Sequence, residues 1–185
     1  GKQVLYQGAH NDWVFDTVFS VKGDYVVSVG RDRSAKLTEL ETQRFIDNIT
    51  SITPGALSGG VASVVRHPER DEILVGGADG TPKIYRMHRT TARKIGDDAN
   101  LIRKFPKMDG RVFAVDFSAD GKRIAAANSA DGSGTVALYG IKFDSKMPDD
   151  VKKIFSKTIV KRTPDEQKKV EAYQTADVAA PLKAT

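Results

Sequence analysis

The sequence VGRDRSAKL at residues 29–37 recurs 47 residues later as GGADGTPKI at residues 76–84. An aspartate, a hydroxyl side chain and a lysine keep their places in both copies, with Asp32 matching Asp79. A third copy, ADGSGTVALY at residues 130–139, has two extra residues between its aspartate and its threonine. A regular period of this length is typical of repeat architectures, which mostly act by binding through their surfaces.

Each copy reads as a series of short strands separated by turns. In the first copy, β-branched and aromatic residues are dense over residues 13–20, 25–29 and 34–40, and a weaker fourth strand follows at residues 44–49. The other two copies repeat this order. Several short strands with turn signals between them predict an all-β sandwich, barrel or propeller.

The sequence changes character at about residue 145. Pro148 is followed by two aspartates, which is typical of the first turn of a helix, and the apolar residues at 151, 154 and 155 share one face. The motif TPDE at residues 163–166 predicts a second helix that runs to about Tyr173. Residues 145–185 therefore form a helical segment and tail.

The composition of the 185 residues fits one soluble domain with a core, since 39% are hydrophobic and 29% are charged. No apolar run approaches the length of a membrane span. The sequence contains no cysteine, which excludes disulfides, thiol catalysis, cysteine-ligated zinc and a haem attachment motif within these residues.

The net charge of +5 is spread thinly along the chain. Residues 145–185 hold 9 Lys/Arg and 6 Asp/Glu, and the rest of the chain holds 20 and 18. Because acids and bases are interleaved, we interpret them as a mixed, solvated surface and expect no nucleic-acid partner.

The sequence VFAVDFSADGK at residues 112–122 resembles the first strand and turn of a WD-repeat blade, and residues 13–23 and 61–68 are poorer versions of it. The repeated Asp-x-Ser/Thr-x-Lys pattern is similar to the hairpin between that blade's second and third strands. Other positions depart from the family: its closing tryptophan is replaced by Thr38, Tyr85 and Tyr139, and its Gly-His pair survives as Ala9-His10.

The resemblance implies an all-β fold, a partial β-propeller of about three four-stranded blades, with a short α-helical insertion or tail at the C-terminus. It assigns residues 1–144 to WD-repeat-like blades and residues 145–185 to the helical segment. The blade region divides into an orphan outer strand at 2–7, blade one at 10–50, blade two at 60–105 and blade three at 111–143. Three blades cannot close a ring, since propellers typically have four to eight. We therefore expect a fragment of a longer protein, or a chain that pairs with further blades in cis or in trans.

The order of the segments also resembles bacterial multidomain proteins in which a c-type cytochrome domain precedes a WD-repeat propeller. This resemblance would imply an extracytoplasmic or periplasmic location and an alternative function, as the propeller domain of a redox or hydrolytic enzyme whose active site lies outside this chain. A Cys-x-x-Cys-His motif upstream of residue 1 would support that alternative.

The three repeated aspartates, Asp32, Asp79 and Asp131, could be read as acids of an active site. The resemblance implies a structural role instead, in which the aspartate caps a tight turn and bonds a neighbouring strand and a histidine. His10 fits the position of that histidine in blade one. Repetition at the same place in each blade favours the structural interpretation.

Other chemical motifs are weak, and we predict no catalytic residue, no cofactor and no metal site. The turn at residues 129–135 resembles the Asp box of sialidase-type propellers, and we interpret it as an elongated turn. Aspartate-rich turns lack the fixed spacing of a calcium-binding EF-hand. Phosphate-loop and dinucleotide fingerprints are also missing, and His10, His67 and His88 have no metal-binding spacing.

The predicted function is a non-catalytic interaction or scaffold segment. Its candidate interface lies in the loops before each first strand and between second and third strands: Trp13, Arg31, Arg33, Lys107 and Arg111. Tryptophan and arginine dominate interface energies, although Trp13 could equally pack in the core. A third possibility is a binder of an anionic polymer. The lysines of the helical segment fit either the solvated face of helices that cover a sheet edge or a docking site for an acidic partner or lipid.

Overall fold

The computed structural model describes residues 1–50, 59–94, 96–142 and 145–178. Within them, eleven strands form three antiparallel sheets of four, four and three strands, each a meander in which consecutive strands pair. Two helices follow. The all-β partial-propeller prediction is therefore confirmed, with each sheet corresponding to one blade.

Blades one and two have the same strand order. Blade one contains β1 (Val14–Phe19), β2 (Tyr25–Gly30), β3 (Ala35–Glu39) and β4 (Phe45–Asn48). Blade two contains β5 (Val61–Arg66), β6 (Glu72–Gly77), β7 (Lys83–Arg86) and β8 (Leu101–Lys104).

Blade three contains β9 (Arg111–Phe117), β10 (Arg123–Ala130) and β11 (Ser133–Gly140). The turn between β10 and β11 is not elongated as expected, because Ala130 pairs directly with Ser133. Asp131 and Gly132 alone form the turn, with φ values of 49° and 80°, which are typical of a type I′ hairpin. The extra residues of this copy instead lengthen both strands to eight residues.

The core lies between the blades. The face of blade one that carries Val27 and Leu37, here called its back face, packs in one cluster with the front face of blade two, which carries Ile73 and Tyr85. The back face of blade two packs in the same way on the front face of blade three. Each blade therefore contributes one face to each neighbour, as in a propeller.

Strand register shows that the three copies are equivalent. In the front faces, β2 pairs Val26 with Thr38, β6 pairs Ile73 with Tyr85, and β10 pairs Ile124 with Tyr139. Thr38, Tyr85 and Tyr139 are all buried. The three residues predicted to replace the closing tryptophan thus occupy one register position.

The helical segment contains α1 (Asp149–Phe155), a short 3-10 helix (Ile159–Lys161) and α2 (Pro164–Thr175). The predicted start of α2 is confirmed, because Thr163 Oγ1 accepts a hydrogen bond from the Glu166 N–H at 3.2 Å and the Thr163 N–H donates to Glu166 Oε2 at 3.0 Å. The apolar face expected on α1 is buried.

The helical segment covers the outer edge of blade two. Helix α2 packs against β8, where Arg103 Nε donates to the carbonyl of Ala176 at 2.9 Å. Arg86 Nη2 donates to the Tyr173 hydroxyl at 2.6 Å. Beyond α2, Val178 forms a single bridge with Ile141 beside blade three.

Residues 2–7 lie outside any strand of the structure. An outer strand needs the third strand of its own blade as a hydrogen-bonding neighbour, and none of the described strands takes that place beside residues 2–7. Their assignment as an orphan outer strand therefore stays a prediction. None of the helices formed by the described residues has the length and apolar character needed to cross a membrane.

Candidate interaction groove

The turn of blade one is held by a cluster around Asp32. His10 Nδ1 lies 3.0 Å from both carboxylate oxygens of Asp32, and His10 Nε2 lies 2.8 Å from Ser28 Oγ. The hydroxyl of Ser34 and the backbone N–H of Asn11 also donate to the carboxylate, at 2.7 and 3.2 Å. The cluster joins the loop before β1 to the β2–β3 turn.

The surroundings of Asp32 act on its pKa in two directions. Burial raises the pKa, but hydrogen bonds from Ser34, His10 and the Asn11 N–H outweigh it and leave the pKa below the ordinary value of 3.8. The carboxylate is therefore ionised at neutral pH and tied to structure. This arrangement suits a turn cap rather than a general acid.

Asp79 and Asp131 sit in different surroundings. Asp79 Oδ1 accepts the Thr81 N–H at 3.0 Å, and its other oxygen pairs with Lys83. Asp131 is an exposed residue of the two-residue turn. In blade three, Asn128 instead joins the loop to the hairpin, because its amide donates to the carbonyl of Asp109 and accepts from the Thr135 hydroxyl.

An open groove of about 720 Å³ lies where the first strands of all three blades begin. We call it the arginine–aromatic groove. Its floor includes glycine and alanine residues before β5 and in the β6–β7 turn. Besides Val112, six larger side chains line it: Trp13, Phe15, Arg31, Arg33, Arg111 and Phe113.

Equivalent β-bulges aim three side chains into this groove. The register slips between Val14 and Asp16 in β1, between Val61 and Ser63 in β5, and opposite the Ala127–Asn128 step in β9. The residues left at these bulges are Phe15, Ala62 and Phe113, and all three line the groove. A bulge commonly redirects a side chain beside a functional site. The small Ala62 leaves space between two aromatic rings.

The candidate interface residues divide into two groups. Trp13, Arg31, Arg33 and Arg111 come together in the groove, whereas Lys107 lies beside Gly80 and is not among the lining residues. Trp13 is 70% exposed, so it does not pack in the core. The Arg31 guanidinium lies 5.8 Å from the Trp13 ring centroid and 3.6 Å from a carboxylate oxygen of Asp12.

The groove offers binding chemistry. The described residues that line it include no acid, histidine or cysteine. Among the residues that the structure describes, no group of three or more His, Cys, Asp or Glu side chains could hold a metal ion. What the groove presents is fixed positive charge beside aromatic surface.

Comparison with known families agrees with this fold. Antiparallel blades packed face to face define a repeat protein of the β-propeller type. The WD domain, G-beta repeat family matches residues 1–38 and 99–136, and the second match starts just before β8 and ends in β11. These two stretches are therefore similar to WD repeats, and the three antiparallel sheets are consistent with part of a WD-repeat propeller. A search of curated proteins found no match.

Proposed function

We propose that this chain is a non-catalytic interaction platform whose arginine–aromatic groove binds an acidic segment of a partner protein. WD repeats generally mediate protein–protein interaction or scaffolding and are typically non-catalytic. The observation that carries the proposal is the convergence of three arginines and three aromatic rings, from two blades, on one groove that reaches all three blades.

The charge of the groove selects an acidic partner. Arg31, Arg33 and Arg111 bring three guanidinium groups to the groove, and the planar guanidinium matches a carboxylate in two parallel hydrogen bonds. Among the described ion pairs, Asp12 pairs with Arg31, and that pair is largely exposed and therefore weak. A net positive groove thus stays available to incoming carboxylates.

The shape of the groove favours a segment that also carries an aromatic or aliphatic side chain. Phe15 and Phe113 stand on either side of the space left by Ala62. Aromatic and arginine side chains are the residue types that contribute most to binding at interfaces. A volume of about 720 Å³ is in the range of pockets that hold a few side chains.

Binding of short peptides tests this proposal. The probe is a fluorescein-labelled peptide of glutamates around one central phenylalanine, followed by fluorescence anisotropy. Two variants remove the proposed determinants: Arg111→Glu reverses a charge, and Ala62→Trp fills the space between the rings. Each should weaken binding about tenfold or more, the loss expected for a central interface residue.

The matched control is Arg123→Glu, the same charge reversal at an exposed arginine of β10 outside the groove. It should bind the probe as the wild type does. If the control weakens binding as much as Arg111→Glu, the attraction is a general charge effect, and the anionic-polymer function replaces this one. If a peptide with lysine in place of glutamate binds equally well, the choice of an acidic partner is wrong.

Attachment to a redox or hydrolytic enzyme is the alternative function. The family match concerns the repeats only and gives that alternative no support. Its test is the sequence that adjoins residue 1 in the encoding genome, where a Cys-x-x-Cys-His motif would favour it.

A further inference from the structure

The helical segment carries a stretch that is both basic and apolar. Residues 151–162 contain five lysine or arginine side chains and no acid. The stretch covers most of α1, the link that follows it and the 3-10 helix. Its lysines and its exposed aliphatic side chains take no part in the arginine–aromatic groove.

An open groove of about 560 Å³ lies between α1 and the loop after β7. We call it the lysine groove. Its larger polar lining residues come from both elements: Thr90, Thr91, Lys94, Lys152, Lys153 and Ser156. Asp149 also lines it, but the described lysine ion pairs include neither Lys94, Lys152 nor Lys153. Three ammonium groups and three hydroxyls against one carboxylate suit an anionic group such as a phosphate.

The 3-10 helix beside this groove presents aliphatic side chains to solvent. We call residues 158–161 the valine tip, which begins two residues after Ser156 of the lysine groove. Val160 is 91% exposed and Ile159 is 38% exposed. Lys157 and Lys161 flank this pair and are exposed as well. Exposed apolar side chains next to lysines are typical of protein segments that lie in the headgroup region of a bilayer.

The valine tip is held in place from both sides. Before it, Lys157 pairs with Glu166 at 2.5 Å. After it, the guanidinium of the buried Arg162 lies 4.7 Å from the Phe155 ring centroid and 3.7 Å from a carboxylate oxygen of Asp98. Because the tip is already ordered, its insertion into another phase costs little conformational entropy.

We propose that the lysine groove and the valine tip together dock this chain on a membrane that contains anionic phospholipid. The lysine groove binds the anionic headgroups, and Val160 and Ile159 enter the boundary between headgroups and acyl chains. Each lysine near an anionic leaflet strengthens binding about fivefold, and burial of an exposed valine side chain adds a factor of similar size. Several such contacts acting together give a reversible attachment.

The type of residue favours a lipid surface over an acidic protein. Protein interfaces depend on aromatic and arginine anchors seated in pockets, whereas the valine tip is aliphatic and projects into solvent. Lysine is a flexible point charge without the fixed fork of arginine, which suits the mobile headgroups of an anionic leaflet.

This membrane contact goes beyond the proposed groove function and does not depend on it. The lysine groove and the arginine–aromatic groove share no lining residue. A chain that binds anionic vesicles but not the acidic peptide refutes the groove function alone. A chain that binds the peptide but not the vesicles refutes the membrane contact alone.

Co-sedimentation of the whole chain with sucrose-loaded vesicles tests the proposal. The wild type should sediment with vesicles of equal parts phosphatidylserine and phosphatidylcholine, and stay in solution with phosphatidylcholine alone. Combining Lys152→Gln with Lys153→Gln should weaken vesicle binding about twentyfold. The matched control combines Lys22→Gln with Lys122→Gln, which removes the same charge from exposed turns of blades one and three and should bind as the wild type does.

A valine substitution separates insertion from charge. Val160→Gln leaves the net charge unchanged and should still weaken vesicle binding about fivefold. Val4→Gln, at a valine that is 67% exposed, should have no effect. Since the sequence has no cysteine, Val160→Cys can also carry a single polarity-sensitive dye. Its emission should shift to the blue on anionic vesicles, whereas the same dye on Val4→Cys should not respond.

Several results would overturn the membrane contact. They are a wild type that ignores phosphatidylserine vesicles, equal losses in the two lysine variants, and a dye at residue 160 that does not respond. If polyglutamate binds through Lys152 and Lys153 while vesicles do not, the surface serves an acidic protein instead. If inorganic phosphate binds there while vesicles do not, it is a site for a free anion.

Discussion

His10 and Asp32 are joined across 22 residues of sequence by contacts of 3.0 Å from one ring nitrogen to both carboxylate oxygens. The other ring nitrogen meets Ser28 in the adjacent strand. One imidazole thus ties the loop before β1, the strand β2 and the β2–β3 turn together. The groove residues Trp13, Arg31 and Arg33 are carried by these same loops, so the cluster positions half of the proposed binding surface.

Loss of the Asp32 carboxylate should destabilise the fold. Asp32→Asn leaves the nearly buried His10, the half-buried Ser34 hydroxyl and the N–H of the exposed Asn11 without their charged acceptor, which typically costs about 1–3 kcal/mol. Urea unfolding measures the change. The matched substitution Asp131→Asn alters an exposed turn residue and should change the free energy of unfolding by less than about 0.5 kcal/mol. Equal losses in the two variants would contradict the assigned role of Asp32.

The Asp32 carboxylate should make the free energy of unfolding depend on pH. Its pKa in the folded chain lies below the ordinary value of 3.8, so its contribution to stability is present above pH 3.8 and is lost as the pH falls through the lowered value. The difference in unfolding free energy between the wild type and Asp32→Asn should therefore be constant near neutrality and shrink below pH 3.8. A difference that grows as the pH falls would mean that folding raises the pKa of Asp32 instead of lowering it.

A contact between turns holds blades two and three together. Gly121 has φ of 67°, and a β-carbon there would lie 2.2 Å from Nε2 of the buried His67. Gly121→Ala should therefore cost the strain of the left-handed backbone and a clash, about 2–4 kcal/mol in total. Gly132→Ala is the control, because Gly132 has φ of 80° and open space around it. Thermal unfolding should separate the two variants, and matching losses would mean that the clash is relieved by movement of His67.

The helical segment is anchored to blade two through a tyrosine. Tyr173→Phe removes the acceptor of the 2.6 Å bond from Arg86 and leaves a buried guanidinium with one partner fewer. We expect a loss of about 1.5–3 kcal/mol and faster hydrogen exchange in α2. Tyr25→Phe, which removes a half-buried hydroxyl bonded to Glu39 at 3.0 Å, should cost less. If hydrogen exchange in α2 is equally fast in the two variants, Tyr173 does not anchor the helical segment.

The repeated hairpin was sufficient to predict the blades, because the Asp-x-Ser/Thr-x-Lys pattern and the alternating strands are local features. The helix start at Thr163 could equally be predicted from the sequence, since a capping box lies within four residues. The bulges could not be predicted from the sequence, because Phe15 and Phe113 look like ordinary strand residues and a register slip depends on the neighbouring strand. Asn128 was missed for the same reason, since its role arises from strand register rather than from the aspartate motif.

The groove itself was predicted only as a set of loops. Trp13, Arg31, Arg33 and Arg111 are far apart in sequence, and packing of the blades brings them together. Lys107 belongs to the same loop as Arg111, but the chain turns between them and leaves it outside the lining residues. The docking of α2 on β8 likewise depends on tertiary contacts that no local pattern encodes.

The most direct test of the interaction platform uses Trp13, which is the one tryptophan of the sequence and lines the groove. Its emission is followed while the unlabelled glutamate–phenylalanine peptide is titrated into the whole chain. Binding in the groove should cover the exposed indole and give a saturable blue shift that Arg111→Glu abolishes. Peptide that binds by calorimetry without changing Trp13 emission, or that does not bind at all, would contradict the account.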